Sequence, residues 1–157
     1  MKGDSMSEEI EIDEPSVARS IAGLHTKAPG SVGDLLEFQV LEECREKGEY
    51  TLRCKTQVWM QNVIGTLHGG MCATIVDQAM GFVAFSYLCG KGNAPTIQLQ
   101  LNYHKPLVPG EDVIVHIRVV SVTKNLISMT CEASRASDPD RICLTASATS
   151  FLKRTAE

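Results

Sequence analysis

Two hydrophobic periods divide this chain. From Pro15 the run SVARSIAGL places Val17, Ile21 and Leu24 on one side of a short helix. After Pro29-Gly30 the period changes to two, with Leu36, Phe38 and Val40 alternating with polar neighbours. Glu46-Lys47-Gly48-Glu49 makes a turn, and Tyr50, Leu52 and Cys54 then alternate with Thr51, Arg53 and Lys55, completing a β-hairpin. Trp59 to Leu67 reads as an irregular connection that carries polar Gln61 and Asn62. Four further strands follow later in the chain: one around Ile97, Leu99, Leu101 and Tyr103, one around Val113, Val115, Ile117 and Val119, one around Ile127, Met129, Cys131 and Ala133, and Ile142 to Leu152. The short turns between them predict an antiparallel meander, so the order is ββαββββ.

The remaining element is the stretch from Gly65 to Gly92, GTLHGGMCATIVDQAMGFVAFSYLCGKG. From Met71 to Cys89 the apolar and small residues go all the way round, the pattern of a helix wrapped by other structure. Asp77 is its only charged side chain. Moving an unpaired carboxylate out of water is costly, so Asp77 is expected to be paired, protonated or beside a polar cavity. At the entrance, Gly69 and Gly70 leave bare N–H groups at the positive end of the helix dipole, a place for a negative oxygen. At the exit, Gly90-Lys91-Gly92-Asn93 supplies the glycines and the cation that a helix C-terminus favours. Strands of about ten residues and a helix of about twenty both span roughly 30 Å, so a curved sheet can wrap the helix along its length. One sheet leaves part of such a helix uncovered, which predicts an identical subunit across a two-fold axis.

Composition narrows the class. The 157 residues fit one domain over 15–157, preceded by an acidic, disordered tail at 1–14 that holds six acidic residues and one basic one. The formal net charge of −4 therefore comes from the tail, and the near-neutral remainder has no basic stripe for nucleic acid. The six cysteines sit mostly in apolar runs with no CxxC pair, so they read as reduced core residues of a cytoplasmic protein. Met71 to Cys89 is long enough for a membrane span, but Asp77-Gln78 at its middle argues against one. Neither a phosphate-binding glycine loop nor metal-ligand spacing is present, and no cofactor and no metal are implied.

Asn62, the run Gly65-x-x-His68-Gly69-Gly70, Asp77 nine residues after the histidine, Asn102-Tyr103-x-x-Pro106 and Pro109-Gly110-Glu111 together resemble the hotdog-fold acyl-CoA thioesterases. The likeness is to the phenylacetate-degradation branch and its mammalian mitochondrial relatives, and covers roughly Leu35 to Leu152. It implies an α+β hotdog fold, a curved six-stranded antiparallel sheet around a long central helix. It also implies hydrolysis of an acyl- or aryl-CoA thioester by a homodimer or homotetramer. In similar enzymes the N–H at the position of Gly69 polarises the thioester carbonyl, and the helix carboxylate, here Asp77, is nucleophile or general base. By the same resemblance Asn62 orients the thioester or the water, His68 shapes the turn, and Thr96 hydrogen-bonds the water or the carboxylate. Gly70, Gln98, Tyr103, Lys105 and Lys124 are then expected to bind substrate, the two lysines through the phosphates of coenzyme A.

Other readings remain open at this level. Asp77 can be structural, and Cys72, four residues after His68 near a helix N-terminus, offers a Cys/His nucleophile. A non-catalytic acyl-CoA-binding or regulatory protein would keep the same fold and pocket. If the chain is a thioesterase, spacing splits its site: Gly69 and Asp77 are eight residues apart, about 12 Å along one helix axis at roughly 1.5 Å per residue. A single carbonyl carbon cannot meet both, so an antiparallel second helix from a partner subunit is expected to complete each site.

Overall fold

The computed structural model describes residues 16–155, so the expected tail at 1–14 lies outside the described residues. In chain order the elements are α1 (Val17–Lys27), α2 (Val32–Leu35), β1 (Phe38–Cys44), β2 (Glu49–Cys54), α3 (Gly69–Ser86), β3 (Gly92–Asn93), β4 (Thr96–Tyr103), β5 (Val113–Val122), β6 (Leu126–Arg135), β7 (Asp138–Phe151) and β8 (Lys153–Arg154). Six of the strands build one sheet in the order β1-β2-β5-β6-β7-β4, and β3 pairs with β8 in a small separate ribbon. All pairings are antiparallel.

The expected meander holds only from β5 to β7. Strand β4 does not neighbour β5; it crosses to the far edge and pairs with β7, with Leu101 opposite Ala146 and Tyr103 opposite Leu144. The connection after β4 explains the difference. His104 and Lys105 both donate backbone N–H groups to Cys143 O, while Leu107 O accepts from Leu67 N at 2.9 Å. A segment with Pro106 and Pro109 whose backbone is engaged in this way is a crossing loop, not a hairpin turn.

The inner face of the sheet carries the residues that alternation assigns to it. Leu52, Val115, Ile117, Ile127 and Met129 are buried with Ile75, Val76, Ala79, Met80 and Val83 of α3 in one core. Helix α1 adds buried Val17 and Ile21, as its helical spacing predicts. Its first turn is tied to β1, because the Glu43 carboxylate accepts the Val17 N–H at 3.0 and 3.1 Å. A carboxylate at a helix N-terminus is favoured by both the free N–H groups and the dipole.

Helix α3 starts two residues before Met71 and ends three residues before Cys89. At its C-terminal side Cys89 and Gly90 take φ of +52° and +75°, the left-handed turn that stops the helix. The expectation of an apolar uncovered side is corrected here. The large apolar residues of α3 face the protein's own core, and Gly70, Ala73, Thr74, Asp77, Gln78 and Gly81 form most of the part left open or half open. The open stripe is thus small and polar. It allows close approach of another backbone rather than demanding cover for greasy surface. Among the described residues no helix is long and apolar enough to cross a membrane.

Candidate active site

Two loops meet at the N-terminus of α3. The first runs from a short 3₁₀ turn at Val58–Met60 through a Gln61–Leu67 bridge, and His68 N donates to Met60 O at 2.9 Å. The second is the crossing loop after β4. It is held from outside by Arg135, whose Nε and an Nη donate to Pro106 O at 3.2 and 2.9 Å, and from inside by the Leu67–Leu107 bond. Between them lies a cavity of about 340 Å³ lined by Asn62, Gly69, Cys72, Tyr103, Lys105 and Leu107, among others.

His68 is the N-cap of α3, and its Nδ1 accepts the Gly70 N–H at 2.9 Å. The accepting nitrogen carries no proton, so the hydrogen of the neutral ring is on Nε2. The Cys72 N–H goes to His68 O at 3.0 Å. Among the described residues nothing accepts the Gly69 N–H, which is left free on a residue that lines the cavity. The two glycines are thereby separated: Gly70 is used by the cap, and Gly69 keeps a donor to offer. Through this cap the His68 ring closes over the first turn of α3.

Asp77 sits two helical turns further on, half buried. Thr96 Oγ1 donates to Asp77 Oδ1 at 2.8 Å, so the carboxylate is paired with a hydroxyl while Oδ2 has no partner among the described residues. An irregularity in the β4–β7 register between Thr96 and Gln98 makes this contact. It turns Thr96 toward α3, whereas strict alternation would put Thr96 and Gln98 on one face. Gln98 pairs with Thr149, whose hydroxyl meets Ser128 on the outer face of the sheet. The structure therefore does not bring Gln98 to the other candidate residues.

The remaining candidates divide between the two ends. Lys105 lines the cavity beside Gly69. Lys124 lies in the exposed β5–β6 turn, near Thr96, because Asn125 O accepts from Leu152 N and Thr96 pairs with Ser150. Asn62 folds its side chain into its own loop. Its Oδ1 accepts from Ile64 N and Thr66 N at 3.1 Å each, and Nδ2 donates to Thr66 Oγ1 at 2.8 Å. One amide N–H of Asn62 remains for another partner. Asp77 does not line the cavity that holds Gly69, in keeping with their separation of about 12 Å along the helix. A single chain does not assemble donor and carboxylate around one reacting atom.

The rival nucleophile fares poorly. Cys72 is buried, and burial pushes its thiol up to about 11, so it is protonated at neutral pH. All six thiols are free. A larger groove of about 690 Å³ lies on the outer face of the sheet among Glu42, Glu49, His116, Arg118 and Glu132. It holds none of the residues above and lacks their chemistry. What the sequence does not disclose is the set of bonds that fix the site, Thr66 to Asn62, Arg135 to Pro106 and Tyr103 Oη to Gly69 O at 2.8 Å. The proline and glycine signals mark these loops without revealing what they touch.

The chain matches the family model of the thioesterase superfamily over residues 64–152. It is similar to acyl-coenzyme A thioesterase 13 of Homo sapiens, with 33% identity over 81 residues, 50% of this chain and 56% of that protein. The match thus spans little more than half the length of that relative. Among solved structures it resembles zebrafish thioesterase superfamily member 2, with a TM-score of 0.71 and 21% identity, covering 90% of this chain and 99% of the other. It also resembles a Streptococcus mutans protein solved bound to acetyl CoA, with a TM-score of 0.65 and 21% identity over 77% and 92% of the two chains.

Proposed function

Because the chain belongs to the thioesterase superfamily, we propose that it hydrolyses an acyl- or aryl-CoA thioester to the free acid and coenzyme A. The observation that carries this reading is the Gly69 N–H, left without an acceptor on a residue lining the cavity, together with a carboxylate on the same helix that a threonine hydroxyl holds by one oxygen. Gly69 receives the thioester oxygen, and negative charge developing there is met by the N–H and the positive end of the α3 dipole. Asp77 acts through its free Oδ2, either by drawing a proton from an attacking water or by adding to the carbonyl carbon itself. In both routes the C–S bond breaks and the sulfur leaves as the thiolate, which takes a proton; in the first, water supplies the oxygen of the acid directly, and in the second, water cleaves the mixed anhydride that Asp77 has formed, freeing the acid and the carboxylate. The spare amide N–H of Asn62 orients the thioester or the water.

The site is shared between two chains. Gly69 and Asn62 come from one protomer and Asp77 and Thr96 from its partner, with the two α3 helices antiparallel about a two-fold axis. Three features support this reading: the axial separation of Gly69 and Asp77, the small open stripe on α3, and the position of β4 at the edge of its sheet. An eight-residue edge strand with unpaired backbone groups is a ready template for a second copy. In such a dimer Lys105 of one protomer and Lys124 of the other flank each site and meet phosphates of coenzyme A.

Release of free thiol from a panel of acyl- and aryl-CoA esters tests the activity. Turnover by the wild type, abolished in Asp77→Asn with ester binding retained, is the expected result. Saturable binding of the esters with no thiol release identifies a non-catalytic binder instead. Near-wild-type kcat in Asp77→Asn removes the mechanism.

A further inference from the structure

Tyr103 ends β4 with its ring more than half exposed, at 56%, yet its hydroxyl is committed. It donates to Gly69 O at 2.8 Å. The same peptide unit is held at its other end, where the Gly70 N–H donates to His68 Nδ1 at 2.9 Å. Both polar groups of the Gly69–Gly70 peptide are therefore fastened by side chains, one from the residue before the helix and one from a strand 34 positions away. The phenol also covers Gly69: a β-carbon there would lie 3.5 Å from the hydroxyl and 3.6 Å from Cζ.

Two glycines in succession make a first helical turn that loses more conformational entropy on ordering than any other pair, and first turns fray. Resting on the reading of Gly69 as oxyanion donor, we propose that Tyr103 is a positioning residue for that donor: with His68 it clamps the Gly69–Gly70 peptide and keeps the Gly69 N–H aimed into the cavity. This departs from the expectation that Tyr103 binds substrate. A phenol has one proton, and here the Gly69 carbonyl takes it. Toward a substrate Tyr103 could only accept.

The two roles separate kinetically. A residue that holds an oxyanion donor acts in the transition state and moves kcat, whereas a residue that binds the remainder of the ester moves KM. Tyr103→Phe keeps the ring and removes only the hydroxyl. The expected result is a fall in kcat of about five- to tenfold, the worth of one hydrogen bond, with KM within about twofold of wild type. A second readout is independent of turnover: amide hydrogen exchange at Gly70, followed by NMR on the ¹⁵N-labelled protein, should speed up by about the same factor in Tyr103→Phe. Raised KM with unchanged kcat, or unaltered Gly70 exchange, overturns the proposal. If the wild type cleaves no CoA ester, the functional reading fails by itself, and the exchange measurement still decides whether the clamp exists.

Discussion

Replacing Thr96 with valine removes one hydroxyl and little else. Valine keeps the β-branched shape that suits a strand, so the β4–β7 pairing is unaffected. What is lost is the 2.8 Å bond to Asp77 Oδ1. A hydrogen bond to a charged group is worth about 1.5–3 kcal/mol when sheltered. Thr96 is exposed and Asp77 only half buried, so water replaces part of that, and about 1–1.4 kcal/mol is the appropriate share. At about 1.4 kcal/mol per decade, this predicts a five- to tenfold loss. The loss should fall on kcat, because the freed carboxylate spends less time aimed at the carbonyl or its water, while the body of the ester is held elsewhere. The assay is steady-state thiol release with kcat and KM resolved, alongside thermal melting, which should change little. Thr96→Ser, which restores a donor, should stay within about threefold of wild type. In an Asp77→Asn background, Thr96→Val should cost nothing further, since the two act as one unit. A Thr96→Val enzyme with kcat within twofold of wild type, or a serine variant as poor as the valine, would refute the reasoning.

Three more substitutions probe the surrounding structure. Gly69→Pro removes the donor N–H at the first helical position, where proline is tolerated and the preceding His68 is already extended, so the protein should still fold while kcat/KM falls by at least about tenfold; a folded and fully active variant would contradict the donor role. Cys72→Ala should cost about 1 kcal/mol in urea unfolding, as for other small core truncations, and leave kcat within about twofold, because the buried thiol, pushed up to about 11, is not a nucleophile; complete inactivation of a folded protein would restore the cysteine reading. Gly92 has φ of +135°, and a β-carbon there would run into the backbone carbonyl of Lys153. Gly92→Ala should therefore destabilise by about 1–3 kcal/mol and lower activity through the displaced start of β4, and unfolding curves that superimpose on wild type would show that the β3–β8 ribbon does not support Thr96.

The elements were legible in the sequence because each has a clean period: the inner faces at Val113, Val115, Ile117 and at Ile127, Met129, Cys131, Ala133 are nearly all buried. Periodicity says which residues share a face and nothing about which strands are neighbours, so it seats β4 beside β5, whereas the bonds of the crossing loop carry β4 to the far edge. The same limit hid the way Thr96 turns inward, since a one-residue irregularity reverses the face and leaves no mark in the pattern. The all-round apolar look of α3 was half informative. It marked the core correctly, but glycine, alanine and threonine count as neither greasy nor wet, and Gly70, Ala73, Thr74 and Gly81 lie with Asp77 and Gln78 along the open stripe. Asp77 stood out because a lone charge in such a helix needs a reason, while the partner hydroxyl lay nineteen residues away with nothing local to point to it.

A shared site would set Gly69 of one protomer and Asp77 of another to work on the same thioester. Unfolding Asn62→Ala and Asp77→Asn together and refolding them as a mixture distinguishes a shared site from a single-chain one. The first variant spoils the Gly69 side whether Asn62 touches the ester or only closes its own loop through Thr66, and the second spoils the carboxylate side. Random reassortment makes half the dimers mixed, each with one doubly defective site and one intact site, so about a quarter of wild-type activity should return. If every site belongs to a single chain, each still carries a defect, and the mixture will stay as inactive as its parents.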